Sequence, residues 1–439
     1  MPKFGKFTGY FIHTFGTSVM TMAMSFAISI ITARYLGPAG RGTLALLILI
    51  PVFAVTFGRL GVSHSINYYA SKVPKDRLIS TSLVLSILVG FVTSVVSIPL
   101  IFLLRNAFFK GITTPLILLA CSFIPFAFLY DYLPSIFQGF YKIKRRNLLV
   151  GALPFFNLAL LVVLVILLKL SLWGAVIAYA GANIIIVVIS LSLVLKELEI
   201  KKIRPDFHLM KALLTYGFQS HIGLIFKELN YRGDMLLVSY FMNPAAVGFY
   251  AIAVNIAELL WKLPEAVGTV LLPKISRIDA EEAKVFTPLV FRTILIPMAA
   301  MCLAVLFAGK YVILIAFGRE FLPSVPVLNL LLPGILAMAF WKIIANTLIG
   351  LGHAIKYSIT SGVALVFMVV FDLILIPKIG LKGAAIASSI SYFVATVFII
   401  ILYVRLTGIS YKDLFVPRKS DFAIYKKMLL GRTAVKTSG

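Results

Sequence analysis

Charged residues are scarce in this chain, and cysteine is almost absent. Only 13% of the 439 residues are charged and two are cysteine, whereas 61% are apolar and the mean hydropathy is +1.02. About a quarter of the residues in a soluble domain are charged, so this composition excludes water as the main solvent. Cys121 and Cys302 lie far apart inside apolar runs, which argues against a disulfide framework or a cysteine metal site and predicts packing roles.

The sequence also lacks the motifs of the common enzyme classes. It contains no HExxH zinc motif, Walker loop, DxD pair, nucleophile elbow or Cys/His ligand cluster. A polytopic glycan-processing membrane enzyme, the main enzyme alternative, generally needs carboxylates or a metal motif in a sizeable loop, and no long loop precedes the tail. We therefore predict a protein that is not an enzyme, with no catalytic residues, no metal site and no cofactor.

Long apolar runs fill almost the whole chain. A bilayer core about 30 Å thick needs about 20 apolar residues per spanning helix, and only helices or closed barrels satisfy their backbone there. These runs are too long for strands, so we predict an all-α integral membrane protein with an uncleaved first helix. Twelve transmembrane helices are predicted: 7–33, 43–70, 78–104, 113–139, 148–168, 172–195, 213–240, 246–272, 287–309, 323–350, 356–376 and 381–404. The short segment 310–321 is predicted to be interfacial or re-entrant.

Positive charge is distributed unevenly between the predicted loops. With the amino terminus inside, 27 of the 41 Lys and Arg residues fall in cytoplasmic segments, nine in outer loops and five within spans. Because cytoplasmic loops collect Lys and Arg, this bias predicts that both termini are cytoplasmic. It also accounts for most of the net charge of +25, so no nucleic-acid partner is expected. The basic tail either rests on anionic lipid or is solvated, and both interpretations stay open.

A repeat relates the two halves of the chain. Four Gly or Pro pairs recur at separations of 206, 206, 209 and 211 positions: Pro38 and Pro244, Gly42 and Gly248, Gly174 and Gly383, and Gly139 and Gly350. Duplicated halves of this kind are typical of transporters. We therefore predict two pseudo-repeated six-helix bundles around a central cavity. The predicted parts are an amino-terminal lobe (1–200), a cytoplasmic linker (201–212), a carboxy-terminal lobe (213–405) and a basic cytoplasmic tail (406–439).

Three segments carry a family resemblance: ARYLGPAGRGTLAL at 33–46, GDMLLVSYFMNPAAVGFYAIAVNIAELLWKLPEAVGTVLLPKIS at 233–276, and AFGREF at 316–321. They resemble the polysaccharide and oligosaccharidyl-lipid flippases of the MOP superfamily, the Wzx-type transporters, and the resemblance runs from about residue 5 to residue 405. It implies a transporter that flips a polyprenyl-pyrophosphate-linked oligosaccharide from the cytoplasmic to the outer leaflet by alternating access. Lipid II flippases and MATE-like cation-coupled multidrug exporters of the same superfamily share much of the apolar pattern and stay as alternatives.

The resemblance also implies a place and partners for the protein. The expected location is the cell inner (plasma) membrane, with multiple passes. Membrane lipids and the anionic lipid-linked glycan are the expected partners, and a polysaccharide polymerase or glycosyltransferases are candidate protein partners.

Charged residues inside the predicted spans indicate an internal polar volume, because a charge near the bilayer centre costs about 2.5 to 3.5 kcal/mol. There are eleven: Arg59, Lys227, Arg232, Lys262, Lys342, Asp131, Glu228, Asp234, Glu258, Glu265 and Asp372. Arg and Lys from opposite walls suit a pyrophosphate headgroup, so all five cations are predicted to bind substrate. Arg59 is the strongest candidate, because its own span offers it no acid. A flippase should lose activity on Arg59→Ala, whereas a drug exporter should tolerate it.

Structural ion pairs are the competing interpretation for these cations. Glu228 and Arg232 stand at i, i+4, as do Glu258 and Lys262, which is the spacing of side-chain pairs on one helix face. Lys227 and Lys342 have no such partner, so substrate or cross-helix contact is predicted for both. Trp261 and Trp341 adjoin two of the cations in sequence and are predicted to stack on sugar rings.

Three acids are predicted to couple transport to a proton or Na⁺, since membrane carboxylates commonly serve as relays. They are Asp131, Asp234 and Glu258. Pairing with a nearby cation is the alternative for each and stays open. Asp372 lies near the outer end of its span and is predicted to be interfacial.

Overall fold

The computed structural model describes residues 4–198, 203–276 and 278–416, and no strand occurs in these ranges. The predicted tail beyond residue 416 and positions 201 and 202 of the predicted linker lie outside them. The first half contains α1 (Phe4–Gly58), α2 (Val62–Tyr69), α3 (Lys75–Phe108), α4 (Thr114–Ser122), α5 (Ile124–Gly139), α6 (Ile143–Leu161), a π-helical turn (Val162–Leu167) and α7 (Ser171–Glu197). The second half contains α8 (Phe207–Phe241), α9 (Pro244–Leu260), α10 (Lys262–Ile275), α11 (Ala280–Val312), a π-helical turn (Ile313–Phe317), a 3₁₀ turn (Arg319–Phe321), α12 (Ser324–Gly350), α13 (Ala354–Ile379), α14 (Leu381–Thr407) and α15 (Tyr411–Phe415).

Helix α1 contains a break at Gly37. Its 55 residues would extend about 80 Å as one straight helix, far more than a bilayer core of about 30 Å. Gly37 has φ 66° and ψ −179°, outside helical geometry, and Pro38 follows it. Glycine adopts a positive φ at little cost, so this position lets the chain turn between the two arms of α1. Those arms correspond to the first two predicted spans.

The all-α membrane architecture is confirmed, whereas the count of twelve spans stays a prediction. Among the described residues, nine helices are long and apolar enough to cross a membrane, and the pair Pro244–Leu260 and Lys262–Gly268, bent by 40°, adds a tenth. The unbroken count treats the two arms of α1 as one span, Thr14–Gly58. Helix α8 is outside the set, because it carries four charged residues within about two turns.

The repeated Pro and Gly positions of the two halves pack against each other. A Cβ atom placed on Gly42 would lie 1.7 Å from the carbonyl oxygen of Pro244, and one on Gly248 would lie 2.1 Å from the carbonyl oxygen of Pro38. The contact is reciprocal, as expected where two copies of one motif face each other across a pseudo-twofold axis. We call the side of the bundle that holds this contact the distal side and the opposite side the proximal side.

A second packing contact recurs in the two halves. A Cβ on Gly139, at the end of α5, would lie 3.4 Å from the carbonyl oxygen of Ile66. A Cβ on Gly350, at the end of α12, would lie 3.4 Å from the carbonyl oxygen of Leu272. Ile66 and Leu272 are separated by 206 positions, the same separation as the distal Pro and Gly pairs. The sequence repeat therefore has a counterpart in helix packing.

The halves also meet on the proximal side, where α2 packs on α8. A Cβ on Gly61, which has φ 67°, would lie 2.1 Å from the carbonyl oxygen of Gly217. Nearby, the rings of Tyr68 and Tyr216 stack with centroids 4.2 Å apart. Backbones this close require glycine at both positions, so this seam between the halves is closed.

Two boundary predictions were wrong. Segment 310–321 is not a separate interfacial piece, because α11 continues without interruption through the π-helical turn to Phe317. The predicted linker 201–212 ends early, since α8 begins at Phe207. The Asp206 carboxylate accepts hydrogen bonds from the backbone N–H groups of His208 and Leu209, which caps that helix.

Candidate functional site

A cavity of about 570 Å³ lies between the two halves. The amino-terminal half contributes a row of hydroxyl side chains on α1: Ser18, Thr21, Ser25 and Ser29. Their spacing of three or four residues places them on one helix face. The carboxy-terminal half contributes the charged wall: Arg232 from α8, Glu258 from α9, and Lys262 and Glu265 from α10. The predicted cavity therefore exists in the structure, and its two walls differ in chemistry.

The first ion pair of the charged wall crosses from α8 to α9. Arg232 Nη2 lies 3.1 Å from Glu258 Oε2. The predicted same-helix pairs of Glu228 with Arg232 and of Glu258 with Lys262 are absent from the described ion pairs. Helix α9 ends at Leu260 and the chain bends before α10, so Glu258 and Lys262 no longer share one regular helix face.

Glu265 bridges two lysines of the charged wall. Its Oε2 lies 2.9 Å from Lys262 Nζ, and its Oε1 lies 2.8 Å from Lys342 Nζ on α12. Exposure differs along this bridge, because the side chains of Lys262 and Glu265 are 54% and 42% exposed whereas that of Lys342 is 8% exposed. The bridge therefore leads from the open cavity into the protein interior.

Aromatic rings surround the buried end of this bridge. Lys342 Nζ lies 4.7 Å from the ring centroid of Trp261 and 5.5 Å from that of Tyr231, within the range of cation–π attraction. Lys227 Nζ lies 5.6 Å from the same Tyr231 ring. Trp261 lines the cavity, and its stacking on sugar rings stays a prediction. Trp341 is not among the lining residues, and its Nε1 donates to Thr360 Oγ1 on α13.

Arg59 lies apart from this cavity, in the break between α1 and α2. Its Nη1 is 4.0 Å from Asp131 Oδ1 on α5, and Asp131 also accepts a hydrogen bond of 2.6 Å from Ser63 Oγ. Both charged side chains are partly exposed, at 22% and 24%. Arg59 is near enough to Lys227 for the two charges to interact, but it is not among the residues that line the 570 Å³ cavity. Arg59 therefore lies outside this cavity, so the expectation that a flippase loses activity on Arg59→Ala no longer follows.

The three predicted ion-coupling acids have different surroundings. Asp131 faces Arg59 and Glu258 faces Arg232, so each lies beside a guanidinium group. Asp234 instead accepts hydrogen bonds from the hydroxyls of Tyr250, at 2.5 Å, and Ser388, at 3.2 Å. Asp234, unlike the other two, has no ion pair with a cation among the described residues.

Asp372 is fully buried by neighbouring helices, and its predicted interfacial depth stays a prediction. Neither carboxylate oxygen of Asp372 has a hydrogen-bond partner among the described residues, and its charge interacts with that of Asp234. Seven residues of α13 separate Asp372 from the helix end, but neighbouring helices cover it there, which a depth count along one helix does not reveal. Two nearby carboxylates with hydroxyl neighbours form an oxygen-rich cluster that suits a proton or a small hard cation. No group of three or more His, Cys, Asp or Glu that could hold a metal ion occurs among the described residues.

Sequence reasoning missed three features of the site. Glu265 was recognised as an intramembrane acid but not as the bridge between two cations, since pairing across helices is invisible in one sequence. Tyr231 gave no signal beyond its aromatic character. The hydroxyl row from Ser18 to Ser29 did carry a signal, because polar residues at helical spacing within a span commonly face a cavity.

The sequence is similar to proteins of polysaccharide biosynthesis and to a putative O-antigen transporter. A family profile described as polysaccharide biosynthesis protein matches residues 8–279. The chain is 26% identical over 244 residues to a putative O-antigen transporter of Shigella flexneri, covering 54% of this chain and 58% of that protein. It is 25% identical over 201 residues to the capsular polysaccharide biosynthesis protein CapF of Staphylococcus aureus, covering 44% and 49%. The chain thus spans about half the length of the curated relatives it matches.

Comparison with solved structures establishes the fold. A lipid II flippase MurJ in an inward closed conformation superposes with a TM-score of 0.78 at 16% identity, covering 96% of this chain and 93% of that one. An inward-facing MATE family multidrug transporter of the MOP superfamily superposes with a TM-score of 0.74 at 16% identity, covering 91% and 98%. The chain therefore has the fold that these two structures share.

Proposed function

We propose that this chain, which belongs to the polysaccharide biosynthesis protein family, moves a polyprenyl-diphosphate-linked oligosaccharide across a bilayer. The names of its relatives, an O-antigen transporter and a capsular polysaccharide biosynthesis protein, support this substrate class. Transport rather than catalysis is the proposed activity. Multidrug export is not favoured, because the likeness to the MATE transporter at 16% identity concerns the fold alone.

The cavity between the halves is the observation that carries this proposal. It brings two cations, Arg232 and Lys262, and a hydroxyl row to one open volume inside a bundle of apolar helices. Arg presents a rigid fork of donors and Lys a mobile charge, and both bind phosphate oxygens well. The hydroxyl row of α1 supplies uncharged donors and acceptors, which suit sugar hydroxyls. The charged wall therefore suits the diphosphate of the substrate, and the hydroxyl row suits its glycan.

Contacts between the halves close the bundle on both sides, and the proximal contact is that of Gly61 with Gly217. The distal side is closed by the reciprocal contact of Gly42 and Gly248, and by Arg34, whose Nε donates to the carbonyl oxygen of Ala316 at 2.9 Å. We assign the distal side to the outside of the membrane, following the bias of Lys and Arg toward the proximal segments. In this orientation both termini are cytoplasmic, and the protein lies in the cell inner (plasma) membrane.

Alternating access then follows from rocking of the two halves about their contacts. The headgroup would travel in the cavity while the polyprenyl tail stays in the bilayer between helices. When the cell interior is negative, the potential drives a negative charge outward. The gain in free energy is about 2.3 kcal/mol per charge per 100 mV. Coupling to a proton or Na⁺ would then act on the return of the empty carrier, and the Asp234 and Asp372 cluster is the proposed ion site.

Partners follow from the same proposal. Membrane lipids surround the spans, and the anionic lipid-linked glycan occupies the cavity. A polysaccharide polymerase or glycosyltransferases, which consume or supply such a glycan, are the proposed protein partners.

A flipping assay in proteoliposomes tests the proposal. Wild-type protein should translocate a fluorescent polyprenyl-diphosphate oligosaccharide faster than protein-free liposomes, read by loss of accessibility to an external quencher. Arg232→Gln should abolish most of the increase, whereas the matched control Arg105→Gln should keep it, because Arg105 donates to Thr114 outside the cavity. A wild-type rate equal to that of protein-free liposomes would exclude this substrate.

A second arm of the assay tests coupling. With the membrane potential clamped at zero and no pH or Na⁺ gradient, continued directional transport would exclude coupling to either ion. Loss of transport that only one gradient restores would identify the coupling ion, and Asp234→Asn should then remove the dependence on that gradient.

A further inference from the structure

The Glu265 carboxylate occupies a position that an anionic ligand would otherwise take. Each of its oxygens contacts a different lysine, Lys262 on α10 and Lys342 on α12, at distances of 2.9 and 2.8 Å. Two lysine ammonium groups on one pair of oxygens is also the arrangement by which a phosphate group is held. Glu265 itself remains 42% exposed and lines the cavity.

Charge balance shows why this acid matters. Among the residues that line the cavity, the charges of Arg232 and Lys262 are cancelled by those of Glu258 and Glu265. A site of zero net charge offers an incoming diphosphate little attraction. If Glu265 withdraws, Lys262 and the buried Lys342 become available together, and the local charge rises by one. The acid therefore determines how strongly this wall attracts an anion.

The bridge of Glu265 extends into a partly buried, aromatic-lined site, unlike an ion pair on the surface. Lys342 is 8% exposed and lies against the rings of Trp261 and Tyr231. The Nε1 atom of Trp261 is buried without a hydrogen-bond partner among the described residues, although Trp261 lines the cavity. A donor left in this state suits an acceptor from outside the protein, because an unpaired buried polar group is costly.

We propose that Glu265 is a resident counter-anion that the diphosphate of the substrate displaces. In the empty carrier Glu265 pairs with Lys262 and Lys342 and so keeps a buried lysine compensated. When substrate enters, a phosphate group takes both lysines and Glu265 turns toward the open cavity. Exchange of one anion for another keeps both lysines paired with an anion in both states, which favours movement of the carrier with and without cargo. This inference rests on the proposed function and adds a residue that sets the affinity for substrate.

Binding of farnesyl diphosphate, a short and soluble polyprenyl diphosphate, tests the exchange. Purified full-length protein in detergent should bind it more tightly than farnesol, which lacks the diphosphate. Glu265→Gln should lower the dissociation constant of farnesyl diphosphate roughly tenfold, because the variant removes the competing anion. A tenfold change corresponds to about 1.4 kcal/mol. In proteoliposomes the same variant should flip more slowly, because bound substrate leaves slowly and the empty carrier keeps an uncompensated lysine.

Glu197→Gln is the matched control. Glu197 also bridges two cations, with Oε1 2.7 Å from Arg145 Nε and Oε2 3.5 Å from Lys142 Nζ, but it lies on the proximal side outside the cavity. It changes the net charge equally and should leave the affinity within about twofold. Weaker or unchanged binding by Glu265→Gln, while wild type binds, would overturn the exchange and leave the flippase proposal intact. Equal binding of farnesyl diphosphate and farnesol by wild type would contradict the proposed function itself.

A measurement on the wild-type protein covers the case in which Glu265→Gln fails to fold. Carbodiimide-coupled labelling of carboxylates with glycine ethyl ester, read by mass spectrometry, reports how free each acid is. Addition of farnesyl diphosphate should increase labelling of Glu265 at least twofold and leave that of Glu197 unchanged. Protection of Glu265, or no change, would overturn the displacement.

Discussion

The two halves of the protein hold ion pairs at equivalent positions but with opposite polarity. Arg59 and Glu265 are separated by 206 positions, and Asp131 and Lys342 by 211, which are the separations of the repeated Gly and Pro residues. The amino-terminal half therefore carries its cation where the carboxy-terminal half carries its acid. Each pair joins the second predicted span of its half to the fourth.

The difference lies in what surrounds each pair. In the amino-terminal half the pair is long, at 4.0 Å, and both side chains are partly solvated. In the carboxy-terminal half the distance is 2.8 Å, Lys342 is buried against aromatic rings, and Lys262 adds a second cation. One scaffold thus holds a partly solvated ion pair in one half and a partly buried, bridged pair in the other. The repeat accounts for the equivalent positions of the two pairs, and the neighbouring residues account for their different surroundings.

Charge reversal in the buried pair should have the largest effect on stability. Lys342→Glu places two carboxylates together in a buried site and should lower the free energy of unfolding by about 3 to 5 kcal/mol. Asp131→Lys, the equivalent change in the other half, should lower it by only about 1 kcal/mol, because that pair is partly solvated. Denaturant titration in mixed micelles measures both values. Equal losses would contradict the assigned difference between the two pairs.

The reciprocal distal contact should show the opposite behaviour, with equal effects in the two halves. Gly42→Ala and Gly248→Ala each place a methyl group against a carbonyl oxygen and should each cost about 1 to 3 kcal/mol. A cysteine at Ser29 should also react faster with a membrane-impermeant maleimide added outside, since the distal side is forced apart. The control is Gly16→Ala, where a Cβ meets no atom within 4 Å. A control effect as large as the others would remove the role assigned to this contact.

The hydroxyl wall should give the smallest effect. Ser25→Ala removes one uncharged group from the cavity, and we expect a loss of about fivefold in flipping rate, since a neutral hydrogen bond contributes about 1 kcal/mol. The rate in the proteoliposome assay measures this loss. If a hydroxyl substitution reduced flipping as much as Arg232→Gln, the assignment of the diphosphate to the charged wall would be wrong.

Much of the fold was predictable from sequence, because the apolar runs and the bias of Lys and Arg follow from the bilayer itself. The repeat was also visible, since Gly42 and Gly248 must be glycine where backbones touch. The functional residues were only partly predictable. The sequence located all five cations within the predicted spans, and their role in substrate binding stays a prediction. The pairs of Arg232 with Glu258 and of Lys342 with Glu265 cross helices, and a single sequence does not show which helices are neighbours.

The burial of Asp372 and the separation of Arg59 from the cavity share one cause. A count along a helix gives depth but not direction, so it places a residue at a level of the bilayer without showing which neighbour it faces. Asp372 faces the helices around Asp234, and Arg59 faces Asp131. Only the packing of the helices shows which neighbour each side chain faces.

Flipping by Arg232→Gln and Arg59→Gln in the same proteoliposomes tests the central claim most directly. If the charged wall of the carboxy-terminal half holds the diphosphate, Arg232→Gln should reduce the rate more than tenfold, whereas Arg59→Gln should stay within about threefold of wild type. A variant of Arg59 that fails while the variant of Arg232 keeps the wild-type rate would contradict the account and move the substrate site to the other half.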